Sequence, residues 1–186
     1  MQSISIDIDG VIAQPYVYSN KLVMLLNRVN NIYPRIRSYE DRMWFFSKIW
    51  HLKKRPIPHA IESLRLLHDN SYQIILNSSR PAILHSITDM WLNKYGIAQD
   101  IRNVYLRGRR TTSYESKASA IQEQQSKIHI DDDPYIVQYV AQMDCIDRVI
   151  FVNPNKHIPY SLLQNKKVIC VPSLEHAVST ILNVSP

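Results

Sequence analysis

From residue 72 onward the chain alternates short apolar runs with stretches at helical spacing. That alternation restricts it to a mostly parallel α/β sheet. Strand-like runs cover residues 72–76, 101–106, 127–130, 148–152 and 168–171, and residues 3–8 form another at the N-terminus. A helix through Ala60, Ile61, Leu64 and Leu67 ends at Asp69-Asn70. Pro81 opens the next at its first turn, and this one runs through Ile87 and Trp91 to Gly96. Residues 114–124 are helical, Pro134 opens another helix, and Ser173 caps a last one over 174–183. Parallel strands need crossovers, which cover both sheet faces with helices, so the expected architecture is Rossmann-like. Ligands of such sheets bind beyond the carboxyl ends of the strands.

Residues 12–55 fit poorly as a single crossover. They hold two helical stretches, 19–30 and 39–52, with no obvious strand, and are rich in aromatics. The expectation is a small helical cap inserted after the first strand (12–55) on a core made of 1–11 and 56–186, with Pro56 and Pro58 marking the return.

A length of 186 residues suits one domain with a small insertion. No apolar run reaches the roughly 18 residues of a membrane span. Asp7 and Asp9 interrupt the apolar layout of a signal peptide, so the expected location is cytoplasmic. Cys145 and Cys170 lack a metal-type spacing and read as buried thiols. With only 3 glycines there is no Gly-rich phosphate loop. The net charge of +6 favours an anionic ligand without choosing between a phosphorylated small molecule and nucleic acid.

The chemistry gathers at the strand ends. In Asp7-Ile8-Asp9-Gly10-Val11 the two carboxylates project to one side and repel unless a cation lies between them. Mg²⁺ suits a site of few carboxylates plus a phosphate. Asn77-Ser78-Ser79-Arg80-Pro81 sets hydroxyls and backbone N–H groups ahead of a helix, as an anion site requires. Lys117 opens the helix after the third strand. Asp131-Asp132-Asp133-Pro134 places three carboxylates where a cap needs one. His129, within that strand, reads as a core residue or a supporting one rather than a ligand.

The order DxDGV, hhhNSSRP, lysine, hhhDDDP resembles the haloacid dehalogenase-like (HAD) phosphohydrolase superfamily over nearly the whole chain, and is nearest to its 5′-nucleotidase (deoxyribonucleotidase-like) branch. The stretch from Pro56 to Leu64 is similar to the helix entering the second motif of many members. The resemblance implies a Mg²⁺-dependent phosphatase acting through an aspartyl-phosphate. Asp7 would be the nucleophile and a metal ligand. Asp9 would be the acid/base and would offer the metal its backbone carbonyl. Ser78, with Ser79 as the second candidate, would hold a phosphate oxygen. Lys117 would neutralise charge, and Asp131 and Asp132 would bind the metal. Val11 replaces the commoner threonine without removing a catalytic group. The presence of Asp9 argues against a dehalogenase. The 39 residues from Ser78 to Lys117 leave no room for a second cap.

The expected substrate is a nucleotide or another small phosphorylated metabolite. Trp44, Phe45, Phe46 and Trp50 would build the cap core or stack on a base. Arg80 and the basic run Lys53-Lys54-Arg55 would meet an anion at the rim, and Asn153 would line the pocket. A nucleic-acid-associated protein, either an end phosphatase or a binding module, is the second reading.

Overall fold

β1 (Ser3–Ile6) lies at the centre of the sheet because Ile4 and Ile6 are buried completely and Ser5 nearly so. The structure is a computed structural model that describes residues 2–14, 51–154 and 158–184. α1 (Ala60–Asp69) leads into β2 (Gln73–Pro81). A 3₁₀ turn (Ala82–Leu84) then runs into α2 (His85–Lys94), followed by β3 (Ile101–Arg107) and α3 (Ser113–Glu123). β4 (Ile128–Asp131), α4 (Pro134–Val140), β5 (Arg148–Val152), α5 (Tyr160–Leu163), β6 (Val168–Val171) and α6 (Leu174–Leu182) complete the order.

Among the described residues the strands form one parallel sheet in the order β3-β2-β1-β4-β5-β6. The order reverses between β1 and β4, and doubly wound sheets bind their ligands at that crevice. One core cluster packs α1, α2 and α6 on one face, and a second packs α3, α4 and α5 on the other. No helix among the described residues is long and apolar enough to cross a membrane.

Local rules explain the helix ends. α3 starts on a capping box, Thr112 with Glu115, and α4 on the Asp133 side chain with Pro134 at its first position. Ser173 accepts from the backbone N–H of His176, as a cap should. α1 has no side-chain cap, and His59 before it is left-handed at φ 61°. A missing cap costs about 1 kcal/mol, whereas burying Leu64 and Leu67 contributes roughly 1.5–3 kcal/mol each, so packing decides this helix.

Two expectations need correction. β2 does not end at residue 76 but continues to Pro81, which pairs with Arg107 across a bulge. Pro81 disfavours helical backbone at Arg80, and pairing with β3 keeps Asn77 and Ser78 on the strand. Pro81 is therefore not the first helical residue; it caps the 3₁₀ turn with ψ 142°.

Residues 15–50, including Trp44, Phe45, Phe46 and Trp50, lie outside the described residues. The two ends of this segment are described. Gln14 donates its N–H to Arg55 O at 3.0 Å, and Ile57 donates to Ile12 O at 2.7 Å. Residues 12–14 thus run antiparallel to 55–57, and the excursion leaves and returns at one point. Ile12 and Ala13, assigned from the sequence to the insertion, pack in the same cluster as β1.

Candidate active site

A line of buried polar groups crosses one face of the sheet. Ser5 on β1 lies opposite His129 on β4, so Asp7 and Asp131, two residues further on, share that face. Asp7 N–H donates to Ile130 O at 2.9 Å and prolongs the pairing. Asn77 donates to Ser5 Oγ at 3.2 Å and to Lys117 O at 2.9 Å. His129 Nδ1 lies 3.1 Å from Ser5 Oγ, and Nε2 lies 3.0 Å from Asp131 Oδ2. From α3, Lys117 Nζ reaches Asp131 Oδ2 at 2.6 Å and Asp7 Oδ1 at 2.8 Å. This lysine is only 1% exposed, and so many satisfied contacts fix its position.

Asp7, Asp131 and Asp132 present carboxylate oxygens that all lie within 4.8 Å of one another. Burial, then the charges of Asp131 and Asp9, overcome the Lys117 ammonium and raise the Asp7 carboxyl to about 7. Burial and the charges of Asp7 and Asp131 raise Asp132 to about 8. Asp131 is held down at about 2, because Lys117 and His129 outweigh its burial. Burial opposes the charge on Lys117 as well, but Asp131 and Asp7 outweigh it and hold the ammonium firmly protonated.

The cluster fits a divalent cation on three observations. Three carboxylates converge with one ammonium between them. Asp7 Oδ1 is buried and makes no hydrogen bond beyond its ion pair. Gly10, at φ 94°, leaves a cradle in which a Cβ would fall 1.8 Å from Asp132 Oδ2. Both Asp131 oxygens are already engaged, Oδ2 as above and Oδ1 by the N–H of Asp133 at 2.9 Å. Among the described residues Asp132 has no such partners, and it is the more available ligand.

Asp9 stands apart from this cluster. Arg80 forks onto it, Nε to Oδ2 at 2.7 Å and Nη2 to Oδ1 at 2.9 Å, and Lys54 Nζ ion-pairs with Oδ1. Burial works against the charge on Asp9, but the two cations outweigh it and hold the carboxyl well below the usual range. Arg80 and Lys54, expected to meet an anion at the rim, are both buried and face Asp9. The bulge that carries β2 on to Pro81 aims Arg80 inward. There its guanidinium donates to Thr88 Oγ1 at 3.3 Å and lies 5.7 Å from the Trp91 ring centre. Trp91 Nε1 and Tyr95 Oη both donate to the Lys54 carbonyl, at 2.9 and 3.1 Å, and anchor the returning segment. His51, on the same segment, is buried, and burial followed by the charge of Arg80 lowers its imidazole to about 3. Lys53 and Arg55 are exposed.

Ser78 is buried beside this arrangement at the end of β2, where its Oγ accepts from Arg80 N–H at 3.3 Å. Ser79 is half-buried, and its carbonyl accepts from Arg107 Nε at 3.2 Å. Asn153 is half-buried at the end of β5, two strands from β1. The structure thus brings together Asp7, Asp131, Asp132 and Lys117, and joins Asp9 to Arg80. Sequence reasoning missed Ser5, His51 and Thr88, and gave Asn77, Lys54 and Trp91 other roles than the ones they have here. Ser5 inside an isoleucine strand and His129 inside another were the local signals of the polar line.

No family model matches the sequence, and no curated protein matches it either. Solved structures do. A "predicted phosphatase" of Clostridium acetobutylicum superposes with a TM-score of 0.74 at 14% identity, covering 98% of this chain and 99% of that one. An L-2-haloacid dehalogenase aligns over 98% and 99% of the two chains, with a TM-score of 0.69 and 11% identity. The D,D-heptose 1,7-bisphosphate phosphatase of B. bronchiseptica, solved with magnesium and phosphate, aligns over 98% and 99% with a TM-score of 0.61 and 10% identity. Sheet order, strand-end carboxylates and these superpositions agree: the chain has the fold of the haloacid dehalogenase-like superfamily.

Proposed function

We propose that the chain is a Mg²⁺-dependent phosphatase that hydrolyses a phosphomonoester, on a nucleotide or similar small phosphorylated metabolite, through an aspartyl-phosphate on Asp7. The observation that carries this reading is the ring Asp7–Lys117–Asp131 with Asp132 beside it. Asp7 and Asp132, supported by Asp131 and the Asp9 carbonyl, would hold the ion, which when bound supplies positive charge against the phosphoryl oxygens.

In the first step an Asp7 carboxylate oxygen bonds to phosphorus as the ester P–O bond breaks, and the leaving oxygen takes a proton from Asp9. In the second, water bonds to phosphorus, the Asp7–phosphorus bond breaks, Asp9 accepts the water proton and inorganic phosphate departs. Lys117 holds the nucleophile and offsets charge on the phosphoryl group, and Ser78 supplies a hydroxyl to one of its oxygens. Asp9 as described is a paired carboxylate, the state suited to taking the water proton. Giving a proton requires Arg80 and Lys54 to loosen their hold. Lys54 joins the segment that returns beside residues 12–14 to Asp9.

The test is a phosphate-release screen with Mg²⁺ over p-nitrophenyl phosphate, nucleoside monophosphates and sugar phosphates. Turnover of none of them sinks the proposal.

The metal assignment makes a separate prediction. Folded Asp7 and Asp132, raised to about 7 and 8, keep protons that the unfolded chain releases near 4. The folded state therefore binds more protons between about pH 4 and 8, and the stability of metal-free protein falls as pH rises through that window. A cation that replaces those protons stabilises more at the alkaline end. Melting after chelation should give a lower midpoint at about pH 8 than at about pH 5, and Mg²⁺ should raise it more at pH 8. Equal Mg²⁺ shifts at both values would count against the three carboxylates as ligands.

A further inference from the structure

Helices α3 and α4 both start at the carboxyl edge of the sheet, α3 four residues before Lys117 and α4 three residues after Asp131, and both carry exposed tyrosines. Tyr114 on α3 is 44% exposed; Tyr135 and Tyr139 on α4 are 79% and 42% exposed. Single exposed aromatics are ordinary. These three are grouped. Tyr114 and Tyr139 touch across the two helices, with ring centres 5.3 Å apart, and Tyr135 lies on the same face of α4 as Tyr139, one turn before it. Tyr114 precedes Lys117 by three residues, so it stands about one helical turn, ~5 Å along the axis, from the lysine that reaches Asp7.

Positive charge accompanies this group. Arg107 ends β3 beside Ser79, and after Gly108 come Arg109 and Arg110, both exposed, on the turn that leads into α3. The acidic side chains at the two helix starts are turned back onto their own backbone. Glu115 accepts from Thr112 N–H at 2.7 Å, and Asp133 accepts from Tyr135 N–H at 2.8 Å. Glu115 and Asp133 remain exposed, but each is engaged at its own helix start, and the tyrosines and the two exposed arginines lie between the end of β3 and α4. Exposed rings beside arginines suit a chain of flat, unpaired bases joined by phosphates, since every base offers a stacking face and every linkage a negative charge.

We propose that Tyr114, Tyr135 and Tyr139, with Arg109 and Arg110, form a ledge that binds single-stranded nucleic acid and presents its terminal phosphate to Asp7. The inference rests on the phosphatase reading for its chemistry, which is the same two-step hydrolysis with the nucleic-acid terminal oxygen as leaving group. The nucleotide of that reading is then the last unit of a strand.

The experiment compares kcat/KM for single-stranded oligonucleotides of about eight residues, phosphorylated at the 5′ or the 3′ end, with that for a nucleoside monophosphate and p-nitrophenyl phosphate. The expected result is a preference of roughly tenfold or more for one oligonucleotide over the monophosphate, weakening with salt. In Tyr114→Ala/Tyr139→Ala, checked for native circular dichroism, the ratio of oligonucleotide to p-nitrophenyl phosphate activity should fall about tenfold. Arg109→Gln/Arg110→Gln should flatten the salt dependence. An unchanged ratio in the tyrosine variant, or no preference for strands while p-nitrophenyl phosphate is turned over, overturns the ledge. If no phosphomonoester is turned over, the phosphatase reading fails instead. Anisotropy of a labelled unphosphorylated strand then decides the ledge: tyrosine-dependent binding keeps it, and its absence removes it.

Discussion

The Asp7→Asn variant is expected to release phosphate roughly 10³-fold more slowly or worse, with KM little changed. The substitution keeps the shape of the side chain and an oxygen where Lys117 Nζ lies 2.8 Å away. It removes the carboxylate that must bond to phosphorus. Stability should move the other way. Asp7 is buried among Asp131, Asp9 and Lys117 with its carboxyl raised to about 7, so in metal-free protein its charge is a cost that the neutral amide lacks. The chelated variant should therefore melt at or above the wild-type midpoint at about pH 8 while being inactive. Acid-quenched wild-type enzyme should carry an alkali-labile phosphoryl group that the variant lacks. Residual Mg²⁺-dependent turnover near the wild-type rate would remove Asp7 from the role of nucleophile.

The carboxylates of this site were legible because their placement needs only local rules. A strand alternates its faces, a glycine turns the chain, and the end of a parallel strand is where ligands sit. Asp7 and Asp131 follow from those rules, and the placing of Lys117 on the helix between the strands follows from chain order. Asp132 joins them past the end of β4. Asp9, which alternation would set beside Asp7, turns to Arg80 and Lys54 instead. These partners of Asp9 follow from no local rule. Arg80 turns inward because β2 bulges against β3 and continues to Pro81, and a bulge depends on a neighbouring strand that local pattern cannot see. Lys54 arrives because residues 55–57 return beside 12–14, and that pairing crosses more than forty positions. The line Asn77–Ser5–His129–Asp131 was equally hidden, since it exists only once β2, β1 and β4 are in register. What pattern misses here is the support rather than the ligands, because support is assembled from side chains on different strands.

That support also makes Lys117 the residue whose loss should cost the fold most. Lys117→Met would keep the length and apolar stem of the side chain and remove the ammonium between Asp7 and Asp131. Replacing both members of a buried pair is often harmless, but removing one leaves the other's charge stranded at roughly 3–5 kcal/mol. Asp131, which is inaccessible to solvent, keeps only His129 and the Asp133 N–H. Its carboxyl, now about 2, must rise in the variant, so the folded state will hold a proton that the unfolded chain does not. Proton uptake by the folded state favours acid, and the deficit should therefore be smaller at about pH 5 than at about pH 8. Denaturant unfolding at the two values measures it. Adding Asp131→Asn to Lys117→Met should recover part of the loss, since the stranded charge goes with it. A deficit of under about 1 kcal/mol, insensitive to pH and to the second substitution, would mean that the lysine is held in place by packing rather than by the carboxylates.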